Sequence, residues 1–199
     1  PTQEMDSPSE SGNSVSWIEM RGREDEVVAK LGRLADVIIV SRPDVEIAVG
    51  HTLVLNAALF ETGRPVLVVP PDGMGEIGKK VVVSWNGSAQ SARALSSALP
   101  ILRNADEVNV FIIESKRTSG ETSLGVSEYM TSHGISCSIR MLSGTGASVG
   151  EALLKETYLV GADMIVMGAY THSRMRQLIL GGVTRHALEQ SERPLLMAH

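Results

Sequence analysis

From residue 80 onward, short aliphatic runs alternate with longer amphipathic segments, and no other feature limits the possible folds so strongly. Lys80–Trp85 reads as a strand and Ala89–Leu102 as a helix. Glu107–Glu114 reads as a strand, followed after a polar stretch by a helix near Ser123–His133. Ile135–Leu142, Met164–Gly168 and Pro194–Ala198 read as further strands, with helices over Val149–Val160 and Gly182–Gln190 between them. Strict alternation of strand and helix means right-handed crossovers and parallel pairing. Strands this apolar need cover on both faces. The expected fold class is therefore α/β: a doubly wound, five-stranded parallel sheet with helices on both faces.

The composition suits such a sheet. Apolar residues make up 43% of the 199 and aromatics only 4%, so the core must rest on Val, Ile, Leu, Met and Ala. Met164, Met167 and Met197 read as core filling. A formal net charge of −5 argues against a general nucleic-acid binder, which needs a basic face. No apolar stretch approaches the roughly 20 residues of a membrane span, and no signal peptide is visible. The single cysteine, Cys137, cannot close an intrachain disulfide and reads as a buried structural thiol. A reducing cytoplasm is the expected location.

Residues 1–14 offer almost nothing to bury and are expected to form a disordered tail. Beyond them, Val15–Met20 reads as a strand, Glu24–Leu34 as a helix, Asp36–Val40 as a buried strand, Val45–Glu61 as a helix and Arg64–Val69 as a strand. Two of these segments recur later. Ala35-Asp36-Val37-Ile38 echoes Ala162-Asp163-Met164-Ile165, and Arg64-Pro65 echoes Arg193-Pro194. Asp36 and Asp163 lie 127 residues apart, Arg64 and Arg193 129 apart, so the two copies are in register to within two positions. The first copy has no counterpart of the opening βαβα segment that starts at residue 80. The chain therefore divides into the tail (1–14), the carboxyl half of a first domain (15–72), a linker (73–79) and a complete domain (80–199). Without its first two strands, the half domain's own third strand, Val15–Met20, should lack a neighbour. The terminal strands Arg64–Val69 and Pro194–Ala198 should be edges, and edges seek partners. They are expected to pair with each other as a pseudo-dimer, with further completion by homo-oligomer formation.

The stretch from Gly168 to Thr184 carries the chemistry. A buried strand ends at Gly168, a loop follows, and Gly181-Gly182 opens the next helix. A glycine pair lets the backbone come close to a ligand, and a helix start presents free N–H groups and about half a positive charge. From Met164 to Leu188 there is no Asp or Glu, whereas Arg174, Arg176 and Arg185 fall inside, with His172 and His186. The pattern suits an anion, most often phosphate. In the first copy Ser41 stands in place of Gly168 and Thr52-Leu53 in place of Gly181-Gly182, so at most one such site is expected.

Val81-Val82-Val83-Ser84-Trp85-Asn86-Gly87-Ser88 before an Ala-rich helix, together with Gly168 through Thr184, resembles the universal stress protein family. The resemblance covers about 120 residues well and residues 15–70 in part, which is similar to a truncated tandem member. It implies an adenine nucleotide alpha hydrolase-like fold with ATP at the carboxyl ends of the strands, Mg²⁺ arriving only with the nucleotide. Adenine and ribose contacts map to Ser84, Trp85, Asn86 and Ile113. Phosphate contacts map to Gly168, Thr171, Gly181, Gly182, Val183 and Thr184. The chain departs from the family pattern at three places: Asn86 replaces an Asp, Thr171 a glycine whose place its Cβ would crowd, and Gly182 a Ser or Thr. The phosphate loop is degenerate by that measure.

The other candidates read as structural. His172 and His186 lack the paired cysteines or carboxylates of a metal site. Ser88 stands at a helix start, where serine is a routine cap, with no nucleophile elbow around it. The resemblance implies a regulatory module, not an enzyme, with at most very slow ATP hydrolysis. The alternative is a structural or interaction module that keeps the fold without the nucleotide.

Overall fold

The computed structural model describes residues 4–8, 14–42, 48–71, 75–113, 120–143, 147–169 and 182–199. Its frame is set by strand β5 (Lys80–Trp85), where Val81, Val82, Val83 and Ser84 are all buried. Val81 and Val83 face one apolar layer and Val82 the other, as the two-residue period of a strand requires. A strand buried on both faces belongs in the middle of a sheet.

Around it, in chain order, come α3 (Ala89–Leu102), β6 (Glu107–Ile113), α4 (Gly120–Ser132), β7 (Ser138–Leu142), α5 (Ala147–Leu159), β8 (Met164–Gly168), α6 (Gly182–Gln190) and β9 (Leu195–Ala198). Before it stand β1 (Glu4–Pro8), β2 (Ser14–Ile18), α1 (Glu24–Leu31, prolonged by one 3₁₀ turn), β3 (Ile38–Ser41), α2 (Ala48–Glu61) and β4 (Val66–Val69). The main sheet runs in the order β3-β4-β9-β8-β5-β6-β7, and every pairing in it is parallel except β4 with β9.

The sheet is thus mostly parallel, as expected, but has seven strands and not five. The reason is the free edge of β9. Its backbone groups are met by β4, with Val66 opposite Met197 and Val68 opposite Leu195, which is the terminal-strand pairing anticipated from the sequence. Helices cover both faces. Ala94, Leu95, Ala98, Leu99 and Leu102 of α3, with Val126 and Met130 of α4, pack on one side. Leu55, Ala58 and Leu59 of α2, Leu153 of α5, and Ala187 and Leu188 of α6 pack on the other. The absence of aromatics costs little here. Close helix–sheet approach is made by alanines, and Met164, Met167 and Met197 are fully buried filling.

The amino-terminal region departs from expectation in three ways. Glu4–Pro8, inside the segment expected to lack structure, pairs antiparallel with β2 in a separate two-stranded sheet. Backbone pairing can order a segment that buries no side chain, and all five residues of β2 are exposed, Trp17 at 70%. The strand expected to lack a neighbour therefore has one, outside the main sheet. Strand β3 was expected to be buried, yet its burial alternates and Ile39 is 59% exposed. Among the described residues it is the edge of the sheet, with a neighbour on one side alone. Outside that region, Cys137 precedes its strand and is only half-buried, although burial still pushes its thiol upward.

Candidate functional site

In a parallel sheet all carboxyl ends lie at one edge, and a crevice opens where the chain reverses its winding direction. Here that point lies between β5 and β8. From β5 the chain winds outward through β6 and β7, then returns to the other side of β5 at β8. Trp85, Ile113 and Gly168 are the last residues of β5, β6 and β8, so the fold brings these three predicted site residues to the same edge. In register, Ser84 stands between Phe111 and Met167, and Trp85 beside Ile112. Ser84 is buried.

The turn after β5 is built by its own side chains. Gly87 takes a φ of +70°, a left-handed conformation that favours glycine. Ser88 then caps α3: its hydroxyl accepts from the Ser91 N–H at 3.1 Å while the Ser91 hydroxyl accepts from the Ser88 N–H at 3.1 Å. The Asn86 side-chain oxygen accepts from the Ser88 hydroxyl at 2.7 Å and from the Ser88 N–H at 3.2 Å. Asn86 therefore organises the turn that precedes the helix. An Asp could accept the same bonds, so replacing it keeps the geometry and loses only the charge. Ser88 is a cap, and its hydroxyl is committed to that role.

Gly168 has a packing duty that the sequence does not reveal. A Cβ placed on it would lie 2.6 Å from the Ser91 nitrogen and 2.8 Å from the Gln90 carbonyl carbon. Backbone cannot retreat as a flexible side chain can, so only glycine lets the first turn of α3 lie over the end of β8. The start of that helix is thereby held directly against the candidate crevice.

On the other side, α6 begins at Gly182. Gly182 is exposed, Val183 is partly buried against the apolar layer and Thr184 is buried. Because α6 carries the chain from β8 back to a parallel β9, its amino end lies at the carboxyl edge of the sheet. That places its free N–H groups on the side expected of an anion site. Charge is distributed less simply than the sequence suggested. Arg185 forms an exposed ion pair with Glu189, at 2.7 Å, one helical turn away. Its guanidinium is committed outward along the helix, and its pKa is raised first by that hydrogen bond. Thr171, Gly181, His172, Arg174 and Arg176 lie outside the described residues.

Trp85 supplies a feature that sequence reading could not. Its ring packs partly against the apolar layer, and its buried indole N–H has no hydrogen-bond partner among the described residues. A buried donor without an acceptor is costly by roughly 1–3 kcal/mol. Two clefts stand out among the described residues, and the second reaches the carboxyl end of β9, where Ala198 pairs in register with Gly168. One, of about 220 Å³, is lined by Leu154, Tyr158 and Arg193, and the other, of about 180 Å³, by Arg64, Arg93 and His199. No described helix is long and apolar enough to cross a membrane.

Comparison with known proteins agrees with this geometry. The universal stress protein family model matches residues 78–199. Among solved structures, a universal stress protein from Archaeoglobus fulgidus superposes with a TM-score of 0.71 at 21% identity, covering 87% of this chain and 66% of that one. A Pseudomonas aeruginosa protein of unknown function gives 0.62 at 15% identity, covering 90% and 68%. A universal stress protein solved in complex with cAMP gives 0.51 at 22% identity, covering 61% and 96%. The chain thus spans about two thirds of the length of the Archaeoglobus protein. No curated protein matches the sequence significantly.

Proposed function

This chain belongs to the universal stress protein family, and from that premise we propose that its carboxyl-terminal domain is a regulatory module that binds ATP or a related adenine nucleotide at the β5–β8 edge. The observation that carries the reading is the meeting of two helix starts, α3 and α6, at the carboxyl ends of β5, β6 and β8. Helix amino termini stabilise anions. Trp85, with its unpaired indole donor, stands where a base or ribose would be met. A fold relative solved with cAMP supports the nucleotide class. In this reading Ser84, Trp85, Asn86 and Ile113 meet the nucleoside, and Gly168, Thr171 and Gly181 through Thr184 meet the phosphates, with Mg²⁺ entering only with them. The module is cytoplasmic and turns ATP over slowly if at all. Residues 15–72 are the carboxyl half of a second domain of the same kind.

A second reading, a partner-binding module that has lost its nucleotide, draws on two findings. Gly168 is already required by the packing of α3, and Arg185 is already paired. One titration separates the readings. In a Trp17→Phe background, which leaves Trp85 as the only indole, ATP should change the fluorescence saturably and raise the melting temperature. No response to millimolar ATP, with and without Mg²⁺, favours the ligand-free module.

A further inference from the structure

The second cleft, of about 180 Å³, opens between helix α3 and the turn that enters β4. The apolar stripe of α3, with Ala94, Leu95, Ala98 and Leu99, is spent on the sheet. Arg93, Ser96 and Ser97 stand beside that stripe at positions i, i+3 and i+4, which a helix brings to one face. All three line the cleft. Arg64 lines it from the β4 side, and His199, after β9, closes it from a third. The cleft lies one strand over from the proposed nucleotide edge, since Ala198 of β9 pairs with Gly168 of β8.

Its charge is one-sided. Two arginines line it and no Asp or Glu does, in a chain whose net charge is −5. Arg64 is held in place: its Nε and one terminal nitrogen donate to the Arg33 carbonyl at 3.1 and 2.8 Å. The fork keeps its other terminal nitrogen with both protons. Arg93, Ser96 and Ser97 make no side-chain hydrogen bond or ion pair among the described residues. The His199 ring serves as wall, with Nδ1 3.1 Å from the Ala169 carbonyl oxygen and its edge against Phe60. Size then decides the class of ligand. Pockets that enclose a nucleotide or a drug-sized molecule measure about 300–1,000 Å³, more than this cleft offers. A compact oxyanion fits. Phosphate brings four oxygens to two guanidinium groups and two hydroxyls, whereas a carboxylate brings two and leaves donors unmet.

We propose that this cleft is an oxyanion site of its own, in which Arg64, Arg93, Ser96 and Ser97 hold a free phosphate-sized anion. The test titrates inorganic phosphate into the full chain at constant ionic strength and follows the backbone amides by NMR. The amides of Gly63, Arg93, Ser96 and Ser97 should shift saturably. Sulfate, of the same shape, should compete, and acetate should have little effect. Arg93 is exposed and unpaired, so Arg93→Gln should keep the fold, and an unchanged far-ultraviolet spectrum checks that. The variant should raise the dissociation constant by about tenfold, and Ser97→Ala by about threefold. Phosphate entering the nucleotide site would shift Gly168 and Gly182 instead. Shifts confined to those two overturn the proposal and leave the nucleotide reading intact. Shifts along α3 without any response to ATP uphold this site and count against that reading. No shift along α3 at tens of millimolar phosphate, or shifts there that Arg93→Gln leaves unchanged, overturn the proposal.

Discussion

Asp163 and the strand that follows it run in register with Asp36 and β3, yet the two segments live in different surroundings. The Asp163 carboxylate accepts from the backbone N–H groups of Gly78, Lys79 and Lys80, at 2.7, 3.0 and 2.8 Å, and so fixes the entry of β5 beside β8. Asp36 has no strand entry to fix, because nothing described lies beyond β3. Val166 of β8 is fully buried, whereas Ile39, its counterpart, is 59% exposed. Gly168 lies beneath a helix start, whereas Ser41, its counterpart, is exposed. Similar local sequence gives a strand in both places. What differs is the neighbour, and the neighbour decides which residues carry stability and which are left for binding.

The largest difference should come from burying a charge at the two matched positions. Val166→Asp would place a carboxylate in a layer with no partner and should cost on the order of 4 kcal/mol, enough to unfold many domains. Ile39→Asp should change stability by no more than about 0.5 kcal/mol, since the side chain is exposed. Urea denaturation of both variants measures the contrast. Similar midpoints would mean that β3 is covered in solution as completely as β8.

A smaller effect is expected at the strand ends. Gly168→Ala forces the first turn of α3 away from β8 and should cost about 1–3 kcal/mol, as overpacked sites do. Ser41→Ala should cost less than about 0.5 kcal/mol. The glycine variant should also lose nucleotide response beyond what its stability explains, since the displaced helix start carries Ser88, which Asn86 holds through its side-chain oxygen. If Gly168→Ala is as stable as the parent, the contact between α3 and β8 is looser than the structure draws it.

These contrasts mark where the sequence was legible. Periodicity located β5, α3, β8 and α6 to the residue, because an apolar run bounded by caps and glycines is a local signal. It also foresaw β4 meeting β9, since two terminal strands of one sheet leave two open edges. The hairpin of β1 with β2 was not legible, because its pairing is made by backbone and β2 buries none of its side chains. At the candidate site the sequence named Trp85, Ile113 and Gly168, which the fold brings to one edge of the sheet, but gave Gly168 and Asn86 to a ligand alone. Their work within the fold depends on a helix start brought close from elsewhere in the chain, and no spacing rule contains that information. The basic window misled in part: Arg185 looked free until Glu189 was seen one turn along the same helix.

The smallest effect sits on the finished side of the sheet, where β5 pairs with β6. Glu107 lies opposite Lys80 in register, with its carboxylate 3.5 Å from the lysine nitrogen. The side-chain amide of Asn109 donates to it at 2.9 Å, and this bond, with Lys80 behind it, holds its carboxyl below the ordinary 4.5. A carboxyl group lowered in the folded state binds its proton more readily in the unfolded chain. Its contribution is therefore complete above about 4.5 and disappears as pH falls through the lower folded value. Both partners are largely exposed, so solvent limits the contribution to about 0.5 kcal/mol. Glu107→Gln should lower the denaturation midpoint slightly at about pH 6, and the difference should shrink as pH falls through the lowered folded value, because the parent then loses the same charge. A gap that stays constant across that range would place the role of Glu107 in its shape.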